Sequence, residues 1–216
     1  MRLRAAQALV ATTTSLLNFE LRAAVESYGK LHPDVSLSLV DRTSAAALEL
    51  LSHGHADIAI VGRVPALKDQ PILKAQTLLH YPFVLACPKK HELVSRKGFK
   101  LSDLLRYPLI IPSVGTNARQ RIETVLQQAG MMDDIRWVLD SNNAGLLLTY
   151  VEQGLGIALG SMSPFLIKEC ADRLAFRDVC DLFGTEEVLL VQRKQRYPLA
   201  HVSRFAEVVL NTVTKK

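Results

Sequence analysis

The feature that most constrains the fold is a repeated order of apolar stretch, hydroxyl- or amide-rich loop and helical segment. The first instance begins with the apolar residues 8–11 and the loop Thr-Thr-Thr-Ser at residues 12–15. The apolar side chains after this loop recur every three or four residues, which predicts one helix with these positions inward: Leu17, Leu21, Ala24, Tyr28 and Leu31. Pro33 ends that helix because proline disfavours the helical conformation in the residue before it.

The same order continues through residue 62. Residues 35–39 alternate between apolar and polar side chains, which is typical of a strand. Leu48 and Leu51 lie on the inner face of a second predicted helix, and Gly54 is placed to end it. A fully buried strand is predicted at residues 57–62. The resulting β-α-β-α-β order, with short connections, predicts a parallel sheet with right-handed crossovers.

A second unit of the same kind follows. Its strands are predicted at residues 81–86, 109–111, 136–140 and 156–159. The loops at residues 112–117 and 141–143 each open a predicted helix, and Gly130 and Gly154 end these helices. The sequence therefore predicts two α/β lobes.

The last segments return the chain to the first lobe. Residues 188–191 are predicted as a strand, and the apolar stripe of a final helix is formed by Val202, Phe205, Ala206 and Val209. We therefore predict an α/β fold of two Rossmann-like subdomains joined by two crossover strands, with a cleft between them. Subdomain I comprises residues 7–84 and 192–216, and subdomain II comprises residues 85–191.

Composition and charge exclude several classes of protein. The chain of 216 residues is 49% hydrophobic and 22% charged, which is ordinary for a globular protein. It contains no apolar stretch near the roughly 20 residues that cross a bilayer. Its basic first residues are not followed by a convincing secretory segment, so we expect a cytoplasmic protein without membrane contact. The net charge of +5 is dispersed, and its densest group lies at residues 193–196.

The cysteines and histidines give little support for a metal or redox site. Three cysteines without C-x-x-C spacing argue against a disulfide framework or structural zinc. A redox pair of Cys170 and Cys180 stays open, but core packing is favoured because Cys170 follows an apolar stretch. His53 and His55 form the only close histidine pair, at a predicted helix end. We predict no metal and no cofactor.

Catalytic motifs are also missing from the sequence. No G-x-S-x-G elbow, P-loop or dinucleotide fingerprint occurs. Asp57, at the start of a strand, is interpreted as a structural cap rather than an acid. We therefore predict that the chain is not an enzyme.

Four loops carry the functional prediction, namely those at residues 12–15, 43–44, 113–117 and 141–143. In parallel α/β sheets such loops lie at the carboxyl ends of the strands, where ligands bind. Helix starts present unpaired backbone N–H groups that hold carboxylate, phosphate or sulfate. Ser, Thr and Asn are also the preferred helix N-caps, so each loop taken alone is explained by capping. Two such loops in each lobe favour anion binding.

Five fragments, in order, resemble the effector-binding region of LysR-type transcriptional regulators over most of the chain, from Gln7 to Thr212. They are the stretches at residues 28–37, 49–60, 83–93, 101–104 with 107–112, and 151–159. The resemblance implies a periplasmic-binding-protein type II-like sensor with two subdomains. It also implies that a small-molecule effector binds there, that the regulator forms a homodimer or homotetramer, and that DNA is bound only through an N-terminal helix-turn-helix. Residues 1–6 resemble the end of the linker that follows that missing segment.

The resemblance further implies which residues contact the effector. Ser15 with Thr14, and Ser44 with Thr43, occupy the positions of hydroxyl groups that contact the effector in the family. The remaining positions carried over are Arg63, Ser113, Thr116, Asn117, Arg119 and Asn143. Some sensors of aromatic metabolites have a hydrophobic residue in place of Arg119, so an aromatic effector is not assumed.

Two other classes of protein remain as alternatives. A periplasmic-type solute-binding protein for a small anion would use the same two lobes. An enzyme on this scaffold, such as a deaminase of the porphyrin pathway, would need a cofactor-bearing cysteine and a clustered basic cleft, and neither is evident.

Overall fold

The computed structural model describes residues 6–194 and 197–214, and the chain divides into two compact units. Unit 1 comprises Met1–His80 and Glu187–Lys216, and unit 2 comprises Tyr81–Glu186. These boundaries lie a few residues before those expected from the sequence, at residues 84 and 191. The expected linker remnant at residues 1–6 lies outside the described residues except for Ala6, where the first strand begins.

The elements alternate along the described chain, with three 3₁₀ turns at Pro65–Asp69, Leu101–Arg106 and Met132–Asp134. The strands are β1 Ala6–Thr12, β2 Val35–Asp41, β3 Ile58–Gly62, β4 Leu73–Pro88, β5 Leu109–Ile111, β6 Trp137–Asp140, β7 Ile157–Ser161, β8 Leu174–Asp178 and β9 Thr185–Arg193. The helices are α1 Thr14–Phe19, α2 Arg22–Leu31, α3 Ser44–Ser52, α4 Glu92–Ser95, α5 Asn117–Gln128, α6 Ala144–Glu152, α7 Pro164–Cys170, α8 Cys180–Phe183 and α9 Ala200–Val213.

The sheet of unit 1 has the order β2-β1-β3-β9. Strands β2 and β3 both pair with β1 in parallel, which confirms the predicted β-α-β-α-β arrangement, and β9 pairs with β3 in antiparallel orientation. Thr12 lies opposite Asp41 on one side and Ile60 on the other. This register brings the carboxyl ends of β1, β2 and β3 to one edge of the sheet. Helix α3 buries Leu48 and Leu51 against this sheet, as predicted.

The prediction of one continuous first helix is wrong. The structure has two helices, α1 and α2, which meet around Glu20 and Leu21. Leu16 rather than Leu17 is buried, and Leu31 is 66% exposed. The periodicity still found the inner face of α2, because Tyr28 is fully buried against Phe205 of α9 with ring centroids 5.1 Å apart. The predicted stripe of α9 is also buried.

The sheet of unit 2 is built around parallel strands. Strand β5 pairs in parallel with both β6 and β7, and β4 pairs in antiparallel orientation with β7 and β8. The predicted first residues of β5, β6 and β7 lie within one residue of the observed ones. It missed β8, and it predicted only residues 81–86 of the sixteen-residue β4. No helix among the described residues is both long and apolar enough to cross a membrane.

Candidate functional site

In unit 1, the loop after β1 is joined to the end of β2. Thr13 is the N-cap residue of α1 and makes no side-chain capping bond. The Thr14 hydroxyl donates a hydrogen bond to Asp41 Oδ2 at 2.6 Å. Ser15 lies in the first turn of α1 and is half-buried. The two predicted hydroxyl groups therefore lie where parallel strands end, and a carboxylate that the sequence reasoning did not consider lies beside them.

Thr43 and Ser44 begin α3, and each has a structural partner. Thr43 is the N-cap, and its hydroxyl oxygen accepts a hydrogen bond from the Ala46 backbone N–H at 3.4 Å. The Ser44 hydroxyl oxygen accepts one from the Gly62 backbone N–H at 3.1 Å, which joins the helix start to the end of β3. A hydroxyl group that accepts a bond still has its own proton to donate. Thr43 thus combines a capping role with a remaining donor, and Ser44 combines a bond to a strand end with a remaining donor.

Arg63 follows β3 and forms an ion pair with Glu187. Its backbone N–H donates to the Glu187 carbonyl oxygen at 2.8 Å, and its Nε donates to the Glu187 carboxylate. The Thr77 hydroxyl also donates to this carboxylate. The bond from Arg63, and then the one from Thr77, lowers the pKa of Glu187 to about 2. Arg63 is therefore held by an internal carboxylate that stays ionised near neutral pH.

In unit 2, the loop between β5 and α5 is closed by its own hydrogen bonds. The Thr116 hydroxyl donates to the Ser113 carbonyl oxygen at 2.9 Å and accepts from the Arg119 backbone N–H at 3.2 Å, so Thr116 caps α5. The Ser113 backbone N–H donates to the Ser141 carbonyl oxygen at 3.3 Å. The loops after β5 and β6 are therefore neighbours at the carboxyl ends of parallel strands.

The Arg119 side chain has a structural role in this unit. Its Nε lies 2.5 Å from Glu123 Oε1, and its guanidinium group lies over the Trp137 ring, 5.1 Å from the centroid. Only 13% of the side chain is exposed. These contacts explain an arginine at this position without a ligand, and its role in binding stays a prediction.

Asn143 is the N-cap of α6, as Thr43 is of α3 and Thr116 is of α5. Its side-chain oxygen accepts a hydrogen bond from the Leu146 backbone N–H at 3.1 Å. Its own backbone N–H donates to the Ser141 hydroxyl at 3.1 Å. The predicted site residues thus fall into one set in each unit. That the two sets hold a single ligand stays a prediction.

Glu186 is the group that sequence reasoning missed. It is half-buried, and its carboxylate accepts bonds from Asn117 Nδ2 at 3.1 Å and from the Ser161 hydroxyl. Burial raises the pKa of this carboxyl, and the two hydrogen bonds partly oppose that rise. Ser161 could have been recognised, since it also ends a parallel strand, but Glu186 had no comparable sequence pattern.

The other candidate sites gain little from the structure. Burial raises the pKa of the Cys170 and Cys180 thiols, which disfavours the reactive thiolate form. The rings of His53 and His55 lie 6.3 Å apart. Among residues 6–194 and 197–214, no group of three or more His, Cys, Asp or Glu side chains is arranged to hold a metal ion. Asp57 bonds the Leu9 backbone N–H at 2.8 Å, a structural role.

Two α/β units with polar loops at the carboxyl ends of parallel strands define a type II periplasmic-binding-protein-like ligand-binding domain. The family model described as the LysR substrate binding domain matches residues 7–214. The chain belongs to this family.

Two relatives are similar along most of the chain. The HTH-type transcriptional regulator cbl of Klebsiella aerogenes is 31% identical over 199 residues, which is 92% of this chain and 61% of the relative. The HTH-type transcriptional regulator CysB of Burkholderia cenocepacia is 29% identical over 208 residues, which is 96% of this chain and 64% of the relative. The chain therefore spans less than two thirds of the length of these relatives.

Solved structures agree with this assignment. The cofactor-binding domain of the Cbl transcriptional regulator has a TM-score of 0.80 and 25% sequence identity, and the match covers 98% of this chain and 92% of that one. The Synechocystis CcmR regulatory domain in complex with 2-PG also has a TM-score of 0.80, at 16% identity, with 96% and 97% covered. At that identity the second likeness shows the fold alone.

Proposed function

We propose that this chain is the effector-sensing domain of a LysR-type transcription regulator and that its effector is a small anionic metabolite. The observation that carries this proposal is that the predicted contact residues follow the carboxyl ends of strands that are parallel within their unit, namely β1, β2 and β3 in unit 1 and β5 and β6 in unit 2. Ligands of open α/β sheets bind at that edge. Hydroxyl groups, amide groups and helix starts there are suited to an anion.

The regulator is favoured over a solute-binding protein of the same architecture. The relatives that cover most of this chain are named as HTH-type transcriptional regulators. We infer that the complete protein binds DNA through a helix-turn-helix segment outside this chain, acts in the cytoplasm as a homodimer or homotetramer, and has no catalytic activity. An upstream coding sequence for a helix-turn-helix would support the regulator, whereas one for a secretory leader would support the solute-binding protein.

Binding controls transcription only if the effector has different affinities for two states of the regulator, since equal affinity shifts no equilibrium. A coupling free energy of about 1–3 kcal/mol corresponds to a roughly 5–150-fold response. The polar groups at the strand ends are suited to give such a difference in affinity, because the strength of a hydrogen bond depends steeply on the position of its donor.

A thermal-shift screen of small carboxylates, amino-acid precursors, sulfate and phosphate tests the proposed site. We expect at least one anion to raise the melting temperature, and we expect the double variant Ser15→Ala/Ser44→Ala to lose most of that rise. The ligand-induced rise is compared rather than the melting temperature itself, because Ser44→Ala also removes the bond to Gly62.

Ser52→Ala is the matched control, since Ser52 lies at the far end of α3, where its hydroxyl donates to the Glu49 carbonyl oxygen. This variant keeps the full ligand-induced rise. The assigned site is wrong if no anion raises the melting temperature of the wild type, or if the double variant responds as the control does.

A further inference from the structure

Two consecutive glutamates lie where the chain passes from unit 2 to unit 1. Glu186 belongs to unit 2 and Glu187 to unit 1, and both are part of β9. Successive side chains of a strand point to opposite faces. Glu187 accordingly bonds Arg63 and Thr77 of unit 1, and Glu186 bonds groups of unit 2. Each of these two glutamates is therefore the partner of a predicted contact residue in its own unit, Arg63 for Glu187 and Asn117 for Glu186.

The bonds of Glu186 are those that an anionic ligand would require. Asn117 is the first residue of α5, which has twelve residues, and it donates its side-chain amide hydrogen to Glu186 Oε1. Ser161, at the end of β7, donates its hydroxyl hydrogen to the other carboxylate oxygen. An anion at Asn117 and an ionised Glu186 would both lie against the same side-chain amide, and they repel each other. Protonation of Glu186 removes the charge and turns one carboxyl oxygen into a donor.

The charged groups nearby are engaged elsewhere. On α5, Arg119 is paired with Glu123, and on β9 the next residue, Glu187, is paired with Arg63. Strand β7 reads Ile-Ala-Leu-Gly-Ser and contributes no titratable group. The charge of His80, in β4, contributes to lowering the pKa of Glu187. The donors to Glu186 among the described residues, Asn117 and Ser161, are neutral, and burial disfavours its charged form.

We propose that Glu186 is an internal competitor of the anionic effector for Asn117, and that anion binding to this domain takes up one proton onto the Glu186 carboxyl. The inference rests on the proposed function, because it needs an anion at the loops of unit 2. The proposal predicts which effectors are preferred. At neutral pH, the domain should prefer an effector whose group nearest Asn117 carries a hydroxyl or ammonium hydrogen to donate to Glu186. At acidic pH a plain anion is accepted.

Isothermal titration of the chain with sulfate tests the proton uptake, at several pH values between about pH 5 and about pH 8, where sulfate keeps its double charge. For the wild type, the affinity should fall by up to about tenfold per pH unit above the pKa of Glu186. Glu186→Gln keeps the side-chain shape without the charge. This variant should bind sulfate at least as tightly as the wild type does at pH 5, and its affinity should depend much less on pH.

Glu187→Gln is the matched control, because Glu187 with its pKa of about 2 stays ionised over the whole range. Its sulfate affinity should follow the same pH slope as that of the wild type. Histidines titrate in this range as well, so the difference in slope between the wild type and Glu186→Gln is the decisive quantity.

The outcomes separate this inference from the proposed function. If sulfate binds, but Glu186→Gln keeps the pH slope of the wild type, then Glu186 is not the competitor and the anion site stands. If neither the wild type nor Glu186→Gln binds sulfate or phosphate at any pH, the anion site of the proposed function is wrong, and the inference about Glu186 is wrong with it.

Discussion

At the scale of single residues, the predicted contact side chains have structural partners in the protein. Thr43, Thr116 and Asn143 cap helices, Ser44 bonds a strand end, and Arg63 is paired with Glu187. Capping and ligand binding do not exclude each other, because a helix start has several unpaired N–H groups and one cap satisfies only some of them. For variants at these positions, the loss of ligand binding therefore has to be measured separately from the loss of stability.

The Arg63–Glu187 pair gives a prediction for acid stability. The pKa of Glu187 is lowered from its ordinary value of 4.5 to about 2, so the pair stabilises the fold above pH 4.5, and this stabilisation is lost as the pH falls towards 2. Glu187→Gln should lower the free energy of unfolding at neutral pH by roughly 1 kcal/mol, a small value because Arg63 is 48% exposed. Urea denaturation at a series of pH values measures this.

Glu26→Gln is the control for this prediction, since Glu26 forms a fully exposed pair with Lys30 on α2 and should contribute little. Equal losses in the two variants at neutral pH, or a loss for Glu187→Gln that persists unchanged at pH 2, would contradict the role of the ion pair.

At the scale of elements, local patterns located most strands and helices, and the failures have tertiary causes. The apolar stripe from Leu17 to Leu31 fits one helix, but the structure has α1 and α2 with a break between them. Leu21 at the break is fully buried, so packing in the core overrides the local periodicity there. Strand β8 was missed because residues 174–178 follow two charged residues, end in two more, and acquire their strand pairing from β4.

Helices α2 and α9 are joined by a part-buried hydrogen bond whose loss can be measured. The Tyr28 hydroxyl donates to the His201 carbonyl oxygen at 2.8 Å, and Tyr28 is fully buried. Tyr28→Phe should lower the free energy of unfolding by about 1 kcal/mol, because the hydrogen bond between the two helices is lost while the ring packing is kept. Tyr150→Phe, at a 38% exposed position, serves as the control and should change stability little. A Tyr28→Phe variant as stable as the control would show that this bond contributes nothing.

At the scale of the whole molecule, the positive charge does not by itself indicate DNA binding. The net charge of +5 is dispersed, and no cluster of basic residues accompanies a DNA-reading motif in the sequence. The family model that matches residues 7–214 is that of a substrate-binding domain.

We therefore expect this chain alone to bind DNA only weakly and without sequence preference. Fluorescence anisotropy with the promoter of the gene and with a random duplex of equal length should give the same affinity, and both should weaken steeply as salt is raised. A preference for the promoter that survives at physiological salt would contradict this expectation.

The sequence by itself determined the α/β class, the order of the elements, the helix stops at Gly54, Gly130 and Gly154, and the polar loops at the strand ends. These features depend on periodicities and turn residues that act within a few positions along the chain, and the glycine stops are confirmed by positive φ angles.

Only the tertiary structure decided which groups meet. Glu187 reaches Arg63 across 124 positions of sequence, and Glu186 reaches Asn117 across 69. Gly156 lies so close to Pro108 that a Cβ there would be 2.4 Å from the Pro108 carbonyl oxygen. Such contacts depend on the register of paired strands and on the path of the chain between them. A one-residue change in the register of β9 would exchange the faces of the sheet on which Glu186 and Glu187 lie. Nothing local in the sequence specifies that register.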